Sequence, residues 1–437
     1  MSTQRAAPVR VDLPHEVHTL ANGLRVIVHE DPSVPLVAVN LWYHVGSKNE
    51  RPGRTGFAHL FEHLMFEGSA HAPEGMFDAL LESVGGVNNG STSSDRTNYY
   101  EMLPAHALEL ALWLEADRMG WLLPAMTQEK LDAQRDVVKN ERRQSYENRP
   151  YGLAFETILA ALYPPEHPYS WPVIGSMADL DAATLEDVHD FFRTYYAPNN
   201  ASLVVAGGVN GAQVLPLVER YFGEIPRGPE APEVQAPPVE AVAGRRLILE
   251  DDVRLPRLYL AWHSPAYFAE GDAELDAAAT ILAEGKASRL HRALVYERGV
   301  AQDVQAFQDS RKLGSIFLIV ATARPEVPLA ELERETMRQL EAIAAGELAP
   351  AEVERARNRI ETAFVDELQH ILGRADRLNL YAYYTGDPGF ANADLERYLR
   401  LEAGSIAATV RRWLVDAPPV VLSVVPRGRW DLASSMP

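Results

Sequence analysis

Residues 226–246, PRGPEAPEVQAPPVEAVAGRR, constrain the fold of this chain more than any other stretch. Five prolines, few large apolar side chains and no hydrophobic periodicity leave nothing there to pack as a helix or central strand. The segment reads as an extended linker. It divides 437 residues into two parts of about two hundred each, a size at which one domain completes its own core. The expected organisation is an N-terminal domain over 1–225, the linker over 226–246 and a C-terminal domain over 247–437.

The two parts share an order of elements. Val34–Val45 predicts a strand, followed by a helix over Gly56–Glu67; Leu255–His263 predicts a strand, followed by a helix near Ala273–Ala283. Each part closes alike, with an amphipathic helix (Asp187–Tyr196; Ile406–Leu414), a turn and a buried strand in NNASLVVAG and APPVVLSVV. The parallel predicts a duplicated α+β unit: two homologous domains, each a mostly antiparallel β-sheet packed with helices. Further helices are predicted over Pro73–Val84, Ala105–Leu122 and Gln128–Asn148, and a β-hairpin over His18–Glu30 turning at Asn22-Gly23. The Gly/Asn/Ser/Thr-rich residues 85–103 read as a turn followed by a strand.

Composition removes whole classes of function. Against 41 Lys and Arg stand 61 Asp and Glu, a formal charge of −20, which opposes binding to the phosphates of nucleic acid. There is no cysteine, so disulfides, iron–sulfur clusters, thiol catalysis and cysteine-held zinc are all excluded. Any metal must sit on His and carboxylate groups. No run of eighteen apolar residues is present, so no membrane span is expected. The first twenty residues lack an apolar h-region and a small-residue cleavage site. A cytoplasmic location is expected, or a periplasmic one for a chain whose signal has been trimmed.

The chemistry-bearing constellation is His59-Leu60-Phe61-Glu62-His63, within the predicted helix over Gly56–Glu67. Residues four apart on a helix are stacked neighbours, so both imidazoles can meet one ion, and Glu62 projects from the same side. Two neutral imidazoles suit a borderline cation such as zinc, and a free carboxylate suits proton removal from water. The order inverts the common His-Glu-x-x-His zinc helix. By composition alone the bare pattern arises in roughly 3% of chains this long, and lone helical histidines are mostly hydrogen-bonded core residues. A third ligand is needed. Gln128–Asn148 offers Glu141, near Val137 and Val138, although a Glu in the run Lys139-Asn140-Glu141-Arg142-Arg143 is ordinarily a solvated face.

The stretch resembles the pitrilysin/insulinase family of zinc peptidases, in the half-length branch related to mitochondrial processing peptidase. In that family a ligand Glu follows the inverted motif at a spacing close to the one here, where Glu141 stands 78 residues after His63 within ArgAspValValLysAsnGlu. The similarity extends through ThrLeuAlaAsnGlyLeuArgVal (19–26), ValGlySer (45–47), GlyGlyValAsnAsnGlySerThr (85–92) and HisProTyr…IleGlySer (167–176). It continues more loosely through GlyLysAlaSerArgLeu (285–290) and GluArgGlyValAlaGln (297–302).

The resemblance implies a zinc endopeptidase with one Zn2+ per chain, His59, His63 and Glu141 as ligands and Glu62 as general base. It implies that Asn89 contacts the substrate backbone; without it, Asn89 reads equally well as a turn Asn beside Gly90. It puts Gln134 where the family often has a Glu supporting the ligands from behind. The family also sets an Arg and, seven residues on, a Tyr beside the site, and here those positions hold Val295 and Gln302. Arg289 and Tyr296 have the spacing but stand six residues earlier, and are read as coincidental. The resemblance therefore implies the metal-bearing subunit of a heterodimer, whose homologous partner supplies the Arg–Tyr pair around a peptide chamber. The competing expectations are a non-catalytic scaffold and a zinc-carrying subunit without turnover.

Overall fold

The computed structural model describes residues 10–239 and 244–434, so linker residues 240–243 lie outside it. In the first part the strands are β1 (Glu16–Thr19), β2 (Arg25–Glu30), β3 (Leu36–Tyr43), β4 (Val87–Thr92), β5 (Thr97–Pro104) and β6 (Ala201–Gly207). They form one sheet in the order β1-β2-β6-β3-β5-β4. The second part holds β7 (Arg246–Asp251), β8 (Arg257–Ser264), β9 (Ala301–Asp309), β10 (Ser315–Ala323) and β11 (Val420–Pro426), ordered β7-β11-β8-β10-β9. With β1 set aside, the two orders correspond strand for strand. Each sheet has one parallel pair in the same place, β2 with β6 and β7 with β11, and every other pairing is antiparallel. The duplicated, mostly antiparallel α+β unit read from the sequence is thus the observed architecture.

The opening hairpin turns at Asn22-Gly23, where Gly23 takes a positive φ of 96° and the Asn22 amide donates to the Phe222 and Ile225 carbonyls. One strand differs from expectation. Residues 87–92, read as part of a turn, form β4, a regular antiparallel ladder on β5 from Val87↔Met102 to Thr92↔Thr97. Its sequence, VNNGST, is poor in β-branched and aromatic residues, so local propensity hides it. The ladder and the neighbouring helix impose the extended form, and β4 is left at the sheet's edge.

Both sheets are covered on both faces, and the covering crosses between the parts. Side chains of β3 alternate: Val37, Val39 and Leu41 join the first core with Leu60, Phe61 and Leu64, while Ala38 faces the other way. That other face, with Ile27, Val204 and Ala206, is covered by Ile371, Ala375 and Leu378 from helix Ile371–Tyr384 of the second part. Reciprocally, helix Ala154–Leu162 of the first part lays Ala154, Ile158 and Leu162 on Tyr259, Ala261 and Leu422 of the second sheet. Polar contacts fix the first crossing. The Asn379 amide donates to the Asn40 carbonyl at 2.8 Å, and Asn40 and Trp42 donate to Asp376 at 3.1 and 3.0 Å.

Candidate metal centre

The inverted motif lies on helix Phe57–Leu64, whose apolar residues Phe57, Leu60, Phe61 and Leu64 are buried in the first core. The 3.6-residue period then leaves His59, Glu62 and His63 on the opposite side. The helix begins at Gly56 with a positive φ of 89°, and a Cβ there would lie 2.7 Å from the Ile174 carbonyl oxygen. Gly56 supplies no side-chain cap. Instead Glu50 reaches back, one carboxylate oxygen accepting from Gly56 N at 3.0 Å and the other from Ala58 N at 2.8 Å. Burial pushes the Glu50 carboxyl up to about 8, against these two donors.

Glu141 comes from helix Gln128–Arg142, which starts at Thr127, whose hydroxyl accepts from Lys130 N, and buries Leu131 and Val138. Next to Glu141, Arg142 donates to the Gly175 carbonyl at 2.8 Å and to Glu156 at 2.9 and 3.1 Å, which pins the end of the helix. His59 Nε2 lies 3.6 Å and His63 Nε2 3.4 Å from the same oxygen of Glu141. Three donor atoms, one from each residue, all lie within 4.8 Å of one another, the sole such His/Asp/Glu group among the described residues. Ligands held about 2.0–2.1 Å from a tetrahedral zinc are separated by roughly 3.3 Å, so the spacing to Glu141 fits that ion.

The electrostatics agree with a cation site. Burial holds His59 below the usual imidazole range, although Glu141 pulls it upward, and a neutral imidazole is the form that ligates. The hydrogen bond from His63 holds Glu141 below the usual carboxylate range. His59 Nδ1 is buried without a hydrogen-bond partner, which leaves Nε2 as the nitrogen with a place to act.

Glu62 is held separately. The Thr92 hydroxyl, on β4, donates to Glu62 Oε2 at 2.6 Å, and a Cβ on Gly90 would lie 3.3 Å from Glu62 Cγ. Asn89 is exposed on the same strand, its side-chain oxygen accepting from Gly90 N. Gln134 stands one step back: its amide donates to Glu67 at 2.7 Å, and the Glu67 carboxyl, raised by burial, lies in the field of His63.

The second-part positions are elsewhere. Val295 packs against the second core, and Gln302 is exposed on β9. Arg289 is held by both oxygens of Glu352 at 2.7 Å, and Tyr296 is 61% exposed beside His291. Sequence reasoning missed Glu50 and Thr92. Glu50 was masked in the sequence by Thr55, which reads as the cap of the motif helix; in the structure the Thr55 hydroxyl donates to Asp179 at 2.6 Å and Glu50 meets the helix N-terminus instead. For Thr92 the signal was weak, a hydroxyl in a stretch read as a turn.

The profile described as Insulinase (Peptidase family M16) matches residues 25–170, and that described as Peptidase M16 inactive domain matches residues 182–360. Zinc protease PqqE of Helicobacter pylori is 33% identical over 382 residues, which span 85% of this chain and 83% of that protein. The chain belongs to the insulinase (M16) peptidase family. A relative from Mycobacterium bovis, described as an uncharacterized zinc protease, is 29% identical over 363 residues, 82% of each chain. The crystal structure of a protease from Helicobacter pylori superposes with a TM-score of 0.89 at 28% identity, covering 95% of this chain and 100% of that one. A Pseudomonas fluorescens structure described as a peptidase M16 inactive domain shares the fold, with a TM-score of 0.83 at 17% identity over 95% and 98%. Among the described residues no helix is long and apolar enough to cross a membrane.

One expectation concerns metal content directly. The purified chain should bind about one zinc, and His63→Ala should lose most of it, because two ligands hold a tetrahedral ion poorly. Metal analysis checks this; unchanged zinc in both His59→Ala and His63→Ala would remove the site.

Proposed function

We propose that the protein is a zinc endopeptidase subunit that hydrolyses peptides or unfolded polypeptides, with His59, His63 and Glu141 holding the ion and Glu62 acting as general base. The observation that carries this reading is the set of three donor atoms within 4.8 Å beside a second carboxylate, Glu62, held apart by Thr92. When bound, zinc supplies Lewis acidity to the scissile carbonyl and to water. Glu62 takes the proton from the attacking water and returns it to the departing amine. Thr92 keeps the base on the open side of the helix, so that its free oxygen faces the substrate. Gln134 acts through Glu67 on the field around His63.

The substrate is an extended peptide. Among the described residues β4 pairs with β5 alone, so its outer backbone edge, next to the motif helix, is available for strand addition. Asn89 on that edge offers a side-chain amide to the incoming backbone. The chamber is completed by a homologous subunit that brings the Arg–Tyr pair, since Val295 and Gln302 supply neither a cation nor a phenol. The supporting experiment follows cleavage of an internally quenched peptide library by the full assembly. Chelation should abolish cleavage and one equivalent of zinc restore it; cleavage indifferent to chelation would overturn the reading.

A further inference from the structure

The turn joining β4 to β5 carries a carboxylate that the reaction does not use. Asp95 is 2% exposed. One of its oxygens accepts from the Tyr169 hydroxyl at 2.6 Å and pairs with Lys48 Nζ at 3.3 Å. The other accepts from Lys312 N at 2.9 Å and from the Tyr384 hydroxyl at 3.0 Å. Its backbone carbonyl accepts from Lys48 Nζ at 2.7 Å and from the Tyr383 hydroxyl at 2.9 Å. These donors come from four places: the segment leading into the motif helix, the loop after helix Ala154–Leu162, the β9–β10 turn, and helix Ile371–Tyr384. Two of the four belong to the second part. Burial alone would raise the Asp95 carboxyl, but Lys48 and the donated hydrogen bonds outweigh it and hold it low.

This turn is mechanically tied to the base. Ser47 N and Lys48 N donate to the Ser93 and Ser94 carbonyls at 3.2 and 2.9 Å, and a Cβ on Gly46 would lie 2.4 Å from the Ser93 oxygen. The approach to the motif helix and the hairpin turn therefore move as one piece. Thr92, three residues before Asp95, ends β4 and donates to Glu62.

We propose that Asp95 is a positioning residue for the general base: it clamps the β4–β5 turn between the two parts, and the clamp sets Thr92 against Glu62. The part without a metal motif thereby contributes to the reaction through Lys312, Tyr383 and Tyr384, with no group of its own at the reacting atoms. The inference rests on Glu62 being the base. A displaced base weakens proton transfer more than ground-state binding, because its contribution is made in the transition state.

The test uses the zinc-loaded assembly that cleaves peptide. Asp95→Asn keeps the size of the side chain and removes its charge and one acceptor. It should lower kcat by roughly 10-fold or more with KM little changed, retain zinc, and raise amide exchange across residues 87–92. Tyr384→Phe removes one donor from the second part and should do the same more weakly, and it carries the test if Asp95→Asn does not fold. In a Thr92→Val background, Asp95→Asn should add little further loss, since both act through one contact. Additive losses in that cycle, loss of zinc in step with kcat, or a wild-type kcat in Asp95→Asn (in Tyr384→Phe, should Asp95→Asn not fold) would overturn the proposal. Glu62→Gln measured alongside separates the failures: full activity there overturns the base itself, whereas an inert Glu62→Gln beside a fully active Asp95→Asn overturns only the clamp.

Discussion

Glu62→Gln is expected to leave the protein folded and loaded with zinc while peptide hydrolysis falls by about 10²-fold or more. The substitution is nearly isosteric, and the Thr92 hydroxyl can still donate to the amide oxygen at the place where it now meets Glu62 Oε2. The three donor atoms of His59, His63 and Glu141 do not include Glu62, so metal content should stay at wild type. What is lost is a group that can accept a proton and give it back. Zinc analysis, a thermal melt and a peptide assay on one preparation distinguish the outcomes. Wild-type cleavage by the variant would refute the role, and loss of zinc would make Glu62 a ligand.

On its own the chain is expected to bind zinc yet hydrolyse peptides weakly or not at all. A developing oxyanion needs donors opposite the metal, and removing one such donor typically costs about 10²–10³ in rate. Arg289 has the right chemistry, but both oxygens of Glu352 hold it, and Tyr296, 61% exposed, packs its ring beside His291. Adding a homologous subunit that carries the Arg–Tyr pair should restore turnover, and mutating that subunit's Arg should abolish it again. Full activity from a preparation shown by light scattering to hold only this chain would defeat the heterodimer and return Arg289 and Tyr296 to consideration.

The most legible features were those in which one residue pattern has one structural answer. The spacing of His59, Glu62 and His63 fixes their common side of a helix, and the structure places one Glu141 oxygen 3.6 and 3.4 Å from the two imidazoles. The duplication was readable because the buried strands at the end of each part, β6 and β11, are strongly apolar. β4 was not readable, because an edge strand of Asn, Gly, Ser and Thr is held by its neighbours rather than by its own preferences. The helix crossing between parts was equally hidden. The apolar stripe of Ile371, Ala375 and Leu378 says that something is covered, and carries no signal of which sheet it covers. The Asp95 clamp joins residues up to 289 positions apart and leaves no local trace at all.

The crossing of helices Ala154–Leu162 and Ile371–Tyr384 makes the two parts mutual chaperones of one another's hydrophobic faces. A gene cut within the linker would yield fragments that each carry the other's lid: one would present bare Ile27, Val204 and Ala206, the other bare Tyr259, Ala261 and Leu422. At roughly 1.5–3 kcal/mol for each large side chain returned to water, neither fragment would be self-sufficient. A protease nick in the same segment would instead leave the pieces interlocked. The part without the metal motif therefore cannot be removed without stripping the back of the sheet on which the motif helix stands.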